Sequence, residues 1–153
     1  MSIRSLCSDD IPGLASALAE LPLLVRYGRG AAAIARDLEL ALARGEGLVV
    51  EESSQGVVAC AWFLPSGTLG MGGYLKLIAV TSRAQRRGIG GELLEVFEAA
   101  CAKQGRHAYL LVSDFNQEAQ RFYQGHGYQC VGKLPALILP DVDELIYWKR
   151  LVT

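Results

Sequence analysis

Two apolar runs, Tyr74–Val80 (YLKLIAV) and Ala108–Ser113 (AYLLVS), bracket a segment through Gln104 whose apolar residues recur at helical spacing. There Ile89, Leu93, Val96, Phe97 and Ala100 share one face, Glu92, Glu95, Glu98 and Lys103 are largely kept off it, and Gly105 closes the segment. A strand, a helix and a second strand in this order can sit side by side in a sheet only as parallel neighbours. The return takes a crossover of about a dozen residues or more, and strand twist makes it right-handed. No other part of the chain narrows the fold as far.

The remaining elements are read around this unit. Ile3–Leu6 is a strand; Ser8 is placed to cap a helix, with Asp9 and Asp10 in its first turn and Ile11, Leu14 and Leu18 as its inner stripe. After Pro22 a second helix runs through Ala31–Ala43, carries Ile34, Leu38 and Leu42 at four-residue spacing, and ends at Arg44-Gly45. Gly47–Glu52 and Val57–Leu64 flank SSQG as an antiparallel hairpin, and a glycine-rich loop, PSGTLGMGG, leads on to Tyr74. Asn116–Gln124 is a short helix, GHG a turn, and Tyr128–Val131 and Leu145–Arg150 the last strands. The expected fold is α/β (α+β): a mixed, mostly antiparallel sheet of about six to seven strands with helices on both faces. At 153 residues the chain is expected to form one domain, 1–153.

Composition removes several classes of function. The chain is 51% hydrophobic and 20% charged with a net charge of −1, so no basic field argues for nucleic acid. Its apolar runs fall short of the roughly 20 residues of a membrane span. The opening MSIRSLCSDD has no apolar stretch of the signal-peptide kind, and a cytoplasmic protein is expected. Cys7, Cys60, Cys101 and Cys130 lie far apart with no CxxC pair, and the only histidines are His107 and His126. No metal site is expected, and the cysteines read as buried, reduced thiols.

The strongest chemical signal is QRRGIGGELL at residues 85–94. A helix N-terminus carries free backbone N–H groups and partial positive charge. Gly88, Gly90 and Gly91 let a phosphate come close, and Arg83, Arg86 and Arg87 add three cations to a stretch, 82–91, with no acidic residue. Cations there cost stability unless an anion is expected. A P-loop is excluded, because the only Gly-Lys, Gly132-Lys133, is followed by Leu134. A dinucleotide turn fits poorly: the third glycine of GxGxxG is replaced by Leu93, and position 110, where an acidic residue would end a strand, is leucine.

Gln85-Arg86-Arg87-Gly88-Ile89-Gly90 fits the Q/R-x-x-G-x-G/A signature, with IAV before it and Asn116-x-x-Ala119-x-x-Phe122-Tyr123-x-x-x-Gly127-Tyr128 after it. In order and spacing the chain resembles the GNAT (GCN5-related N-acetyltransferase) family over about Tyr74–Gly132. The resemblance implies an acyl-CoA N-acyltransferase fold and acetyl-CoA as cosubstrate. It implies that the amides of Arg86, Arg87, Gly88, Ile89, Gly90 and Gly91 bind the pyrophosphate. It also implies that the backbone of Ile78, Ala79 and Val80 pairs with the pantetheine arm, where the two parallel strands must splay apart. Asn116 is implied to hydrogen-bond the pantetheine region, and its position is also that of a plain N-cap. Tyr123, seven residues on and on the same helical face, is implied as a cofactor contact and as the general acid that protonates the departing thiolate.

The implied reaction is direct attack of an amine on the thioester, through a tetrahedral oxyanion that an amide near Val80 stabilises. Neither flanking strand carries a carboxylate, so no base is assigned; a water relay touching Tyr74 or Ser113 remains open. His126 and His107 read as solvent-facing loop residues, and Lys76 as pointing to a solvent-facing or edge side. Arg26, Tyr27, Arg29 and PSGTLGMGG are the candidates to line the acceptor, a small amine, amino acid or peptide N-terminus. A homodimer through the final strands would suit the fold. The competing reading is a catalytically inactive CoA-binding regulatory or interaction module.

Overall fold

Seven strands form one mixed sheet in the order β1-β2-β3-β4-β5-β7-β6. They are β1 (Ser2–Ser5), β2 (Gly47–Ser53), β3 (Gly56–Thr68), β4 (Gly72–Val80), β5 (His107–Ser113), β6 (Gln129–Leu134) and β7 (Glu144–Arg150). The helices are α1 (Ile11–Leu18), α2 (Pro22–Arg26), α3 (Ala31–Ala43), α4 (Ile89–Ala102) and α5 (Gln117–Gly125). The structure, a computed structural model, describes residues 2–152. As the crossover required, β4 and β5 are parallel, from Gly72↔His107 to Leu75↔Leu110. The β1–β2, β2–β3, β5–β7 and β6–β7 pairs are antiparallel. By internal packing the chain divides into two compact units, residues 2–63 with 77–97 and residues 64–76 with 98–152.

In the first unit the inner stripe of α1 (Ile11, Leu14, Leu18) and that of α3 (Ile34, Leu38, Ala41) close over Leu48, Val50, Cys60, Trp62 and Ala79 of the strands. The two helices need different starts and stops. Cys7, not Ser8, occupies the cap before a short 3-10 turn, and its N–H donates to Asp10 Oδ2 at 2.9 Å. The helix proper begins only at Ile11, because Asp10 turns back to close that box. At the end of α3 Gly45 takes φ +70°, Gly45 N–H donates to Leu42 O and Glu46 N–H to Ala41 O, a Schellman stop. A short α2 precedes α3, so the segment after Pro22 is two helices and not one. On the other face of the sheet Phe63 leaves no room for a Cβ at Gly47 and meets Phe97 of α4, ring centroids 5.5 Å apart.

In the second unit β7 lies between β5 and β6, and β6 is exposed along its length. Side chains alternate along each strand. Ala108, Leu110 and Val112 of β5 are buried, and Lys149 of β7 reaches Glu98 of α4 at 2.8 Å. Glu98 is thus drawn into the packed side of α4, where the sequence pattern kept it off. Buried Leu94 and Cys101 take the place of the expected Val96 and Ala100, which are half-buried. A Cβ on Gly73 would collide with Cys101 Sγ, so strand and helix meet there without a side chain between them. PSGT is the end of β3 and not loop, which shortens the connection to β4 to three residues, 69–71. Among the described residues no helix is long and apolar enough to cross a membrane.

Candidate functional site

The turn before α4 lies in the first unit. Thr81 N–H donates to Val58 O, a 3-10 turn covers Ser82–Ala84, and Gln85 Nε2 reaches back to Val80 O at 3.1 Å. Arg86 then takes φ +68° and Gly88 φ +78°. Left-handed backbone costs an arginine roughly 1 kcal/mol or more, so the turn holds a conformation its own sequence resists. Turns that alternate right- and left-handed residues are the kind of backbone that forms anion-binding concavities. The first backbone bond back from α4 is Glu92 N–H to Gly88 O, so the amides ahead of it have no partner within the helix. Arg83, Arg86 and Arg87 are exposed, and Gly90 and Gly91 lie in the first helical turn. Gly88 is required by its φ, for a Cβ there would meet nothing within 4 Å.

Ile78, Ala79 and Val80 lie beyond Leu75, the last residue of β4 in the parallel register with β5. Ala79 is buried and its two neighbours are half-buried. The same unit contains a cleft of about 490 Å³ lined by Asp9, Asp10, Glu20, Val58, Thr81 and Arg83 among others. Three carboxylates disfavour a phosphate there.

The second unit holds Asn116 and Tyr123 at opposite ends of α5. Asn116 caps the helix, its Oδ1 accepting from Ala119 N–H at 3.1 Å, so the plain reading of this residue is correct as geometry. Tyr123 is packed edge-on against Phe122, centroids 5.0 Å apart, and Tyr128, 5.7 Å apart. Burial, and behind it Tyr74, pushes the Tyr123 phenol well above its ordinary value. Tyr74 is raised in the same way, by burial first and then by Glu144.

Glu144 is the residue that sequence reasoning missed. It is 5% exposed and accepts from Ser113 Oγ at 3.3 Å. The signal was present in DVDELIYW, a carboxylate heading an apolar run, but the strand was read from Leu145 and left Glu144 outside. Of the two histidines only His126 is the solvent-facing turn residue expected. His107 opens β5, where its Nδ1 accepts from Trp148 Nε1 at 2.9 Å and its ring stacks on Tyr109 and Trp148. His126 is exposed, and its Nδ1 lies 2.8 Å from Phe122 O. Lys76 is exposed on β4, and Arg29 pairs with Asp37. Of the four cysteines only Cys60 and Cys101 are buried; Cys7 and Cys130 are exposed, against the expectation.

The sequence profile of the acetyltransferase (GNAT) domain matches residues 43–130. No curated protein matches the chain. Several solved structures share its fold. Ard1 from Thermoplasma volcanium superposes with a TM-score of 0.81 at 24% identity, over 99% of this chain and 98% of that one. An aminoglycoside 6′-N-acetyltransferase complexed with coenzyme A gives 0.78 at 20% identity over 100% and 98%. A ribosomal-protein-alanine N-acetyltransferase from Brucella melitensis gives 0.75 at 20% over 99% and 100%. With more than half of its residues under the family profile and the mixed seven-stranded sheet beneath them, the chain belongs to the GNAT acetyltransferase family.

Proposed function

We propose that the protein is an acetyl-CoA-dependent N-acetyltransferase that moves an acetyl group to a primary amine by direct attack. The observation that carries the reading is the turn 85–91, with its two left-handed residues, its open amides and its exposed arginines. In this reading the amides of 86–91 hold the pyrophosphate, and the backbone of Ile78–Val80, past the end of the parallel register, pairs with the pantetheine arm. Asn116 keeps its Oδ1 in the cap and offers its side-chain NH₂ to pantetheine. An amide near Val80 stabilises the oxyanion. Tyr123, whose phenol is held in its protonated form, gives a proton to the leaving thiolate.

The acceptor is a small amine, an amino acid or a peptide N-terminus, classes spanned by the aminoglycoside and ribosomal-protein-alanine enzymes of similar fold. The chain works as one domain in the cytoplasm, and a homodimer would form through the final strands, where β6 is exposed. The inactive-module alternative rested on missing carboxylates, and buried Glu144 weakens it.

Acetyl-CoA is expected to raise the thermal midpoint, because a ligand that binds only the folded state must stabilise it. No rise at saturating acetyl-CoA would sink the reading. A screen of amines for CoA release then identifies the acceptor.

A further inference from the structure

Ser113 ends β5, Glu144 opens β7, and the two are register partners in the antiparallel ladder. Ser113 Oγ lies 3.3 Å from both carboxylate oxygens and donates between them. Both residues are buried. Strand alternation puts Lys149, Tyr147 and Leu145 on the face that reaches α4, and Glu144 and Trp148 on the opposite one. Ser113 and Tyr109, their register partners, share that opposite face, as does Tyr74, the partner of Tyr109. One side of the sheet thus gathers a buried carboxylate, a serine hydroxyl and a phenol. The charge of Glu144 is felt at Tyr74, and Tyr74 in turn at Tyr123.

The surrounding acids are otherwise engaged. Asp143 pairs with Lys133 at 3.5 Å and accepts from Ala136 N–H. Asp114 accepts from Asp143 N–H at 3.1 Å. By the same alternation Tyr74, Lys76, His107 and Tyr109 are further titratable groups on this side. An aliphatic amine is protonated near neutral pH and has no lone pair with which to attack a thioester, so the reaction requires a proton acceptor.

We propose that Glu144 binds the ammonium group of the acceptor and takes a proton from it, with Ser113 holding the carboxylate in place. The inference rests on the reading of the protein as an N-acetyltransferase. The ammonium gives one proton to Glu144, and the freed nitrogen pair forms the C–N bond while the carbonyl π pair moves onto oxygen. As that pair returns, the C–S bond breaks. Sulfur takes the proton of Tyr123, and the second proton of the nitrogen restores the phenol. Glu144 then releases its proton to solvent, leaving amide, CoA thiol and one proton.

The test compares the wild-type chain with E144Q, which keeps the size of the side chain and an acceptor for Ser113. The probes are ethylamine and trifluoroethylamine, whose ammonium is far more acidic and is largely neutral at working pH. E144Q is expected to lower kcat/KM for ethylamine by about 100-fold or more, the range of a general base, and far less for trifluoroethylamine. Equal losses with both amines, or no loss, would overturn the proposal. A second measurement needs no turnover: in isotope-labelled protein saturated with CoA, the carboxyl resonance that E144Q deletes is expected to shift on adding ethylamine. A resonance that stays in place overturns the proposal. E144Q should keep the thermal shift with acetyl-CoA; its absence in the wild-type protein would strike the cofactor reading instead.

Discussion

Tyr128 donates its hydroxyl hydrogen to Glu98 Oε2 at 3.0 Å, joining the residue after the α5 turn to the C-terminal part of α4. The other oxygen of that carboxylate takes Lys149 Nζ at 2.8 Å, and the same ammonium lies 5.6 Å from the centroid of the Tyr128 ring. Burial, and then Glu98, pushes the Tyr128 phenol far above its ordinary value, so it remains a donor. Tyr128 also meets Tyr123 edge-on. The tyrosine proposed as general acid thus packs against one fixed by a charged hydrogen bond.

Tyr128→Phe removes the bond and leaves Glu98 paired with Lys149. Hydrogen bonds to charged groups contribute about 1.5–3 kcal/mol, and the surviving pair places the loss near the lower end. Urea unfolding should show a lower midpoint with an unchanged slope. An unaltered midpoint would mean that Lys149 alone fixes the carboxylate.

Tyr123→Phe should lower kcat by about 100-fold, the scale of general acid catalysis, while the thermal shift with acetyl-CoA persists. Because the phenol is raised, it stays protonated through neutral and mildly alkaline pH. The wild-type rate should therefore show no alkaline fall belonging to Tyr123 in that range. A fall near neutrality that the variant abolishes would contradict the environment described for this residue.

Gly88→Ala forces a side chain into a backbone at φ +78° and should cost about 1 kcal/mol. Gly56→Ala, at φ +102° in the β2–β3 turn, supplies the control, since both positions have open space where a Cβ would go. Both variants should melt earlier. Only Gly88→Ala should also shrink the stabilisation by acetyl-CoA, and equal shifts in the two would remove the turn from the cofactor site.

Asp10 accepts hydrogen bonds from Arg4 at 2.8 and 2.9 Å, which hold its carboxyl well below the usual range against the opposing effect of burial. A depressed folded-state value adds stability above the unfolded value of about 3.9 and loses it as pH falls through the folded one. Thermal melts from neutral to strongly acid pH should show a decline that Asp10→Asn flattens. At neutral pH the variant should melt a few degrees lower. Parallel curves would show the pair to be energetically silent.

What the sequence disclosed follows from how local each feature is. The periodicity of α4, the stop at Gly45 and the hairpin of β2 and β3 depend on neighbours within a few residues, and all were legible. Helix α2 was not, because PLLVR is too short to repeat a helical pattern. PSGT carries loop-forming letters yet completes β3, since pairing in a sheet overrides local preference. The motif residues of the turn and of α5 were legible by position, but the left-handed Arg86 was not, because an arginine gives no sign of that backbone. Glu98 was misplaced and Glu144 missed for one reason. Charge suggests solvent until the partners are seen, and those partners, Tyr128, Lys149 and Ser113, lie 30, 51 and 31 residues away.

The cysteines carry a practical consequence. Cys60 and Cys101 are buried, and burial pushes both thiols up to about 12, which starves them of the thiolate that reacts. Cys7 and Cys130 are exposed, the first on one compact unit and the second on the other. The natural chain therefore comes with its own pair of labelling handles. A dye or spin pair attached there gives the distance between the two labels directly, with and without acetyl-CoA, and no residue has to be changed to obtain it.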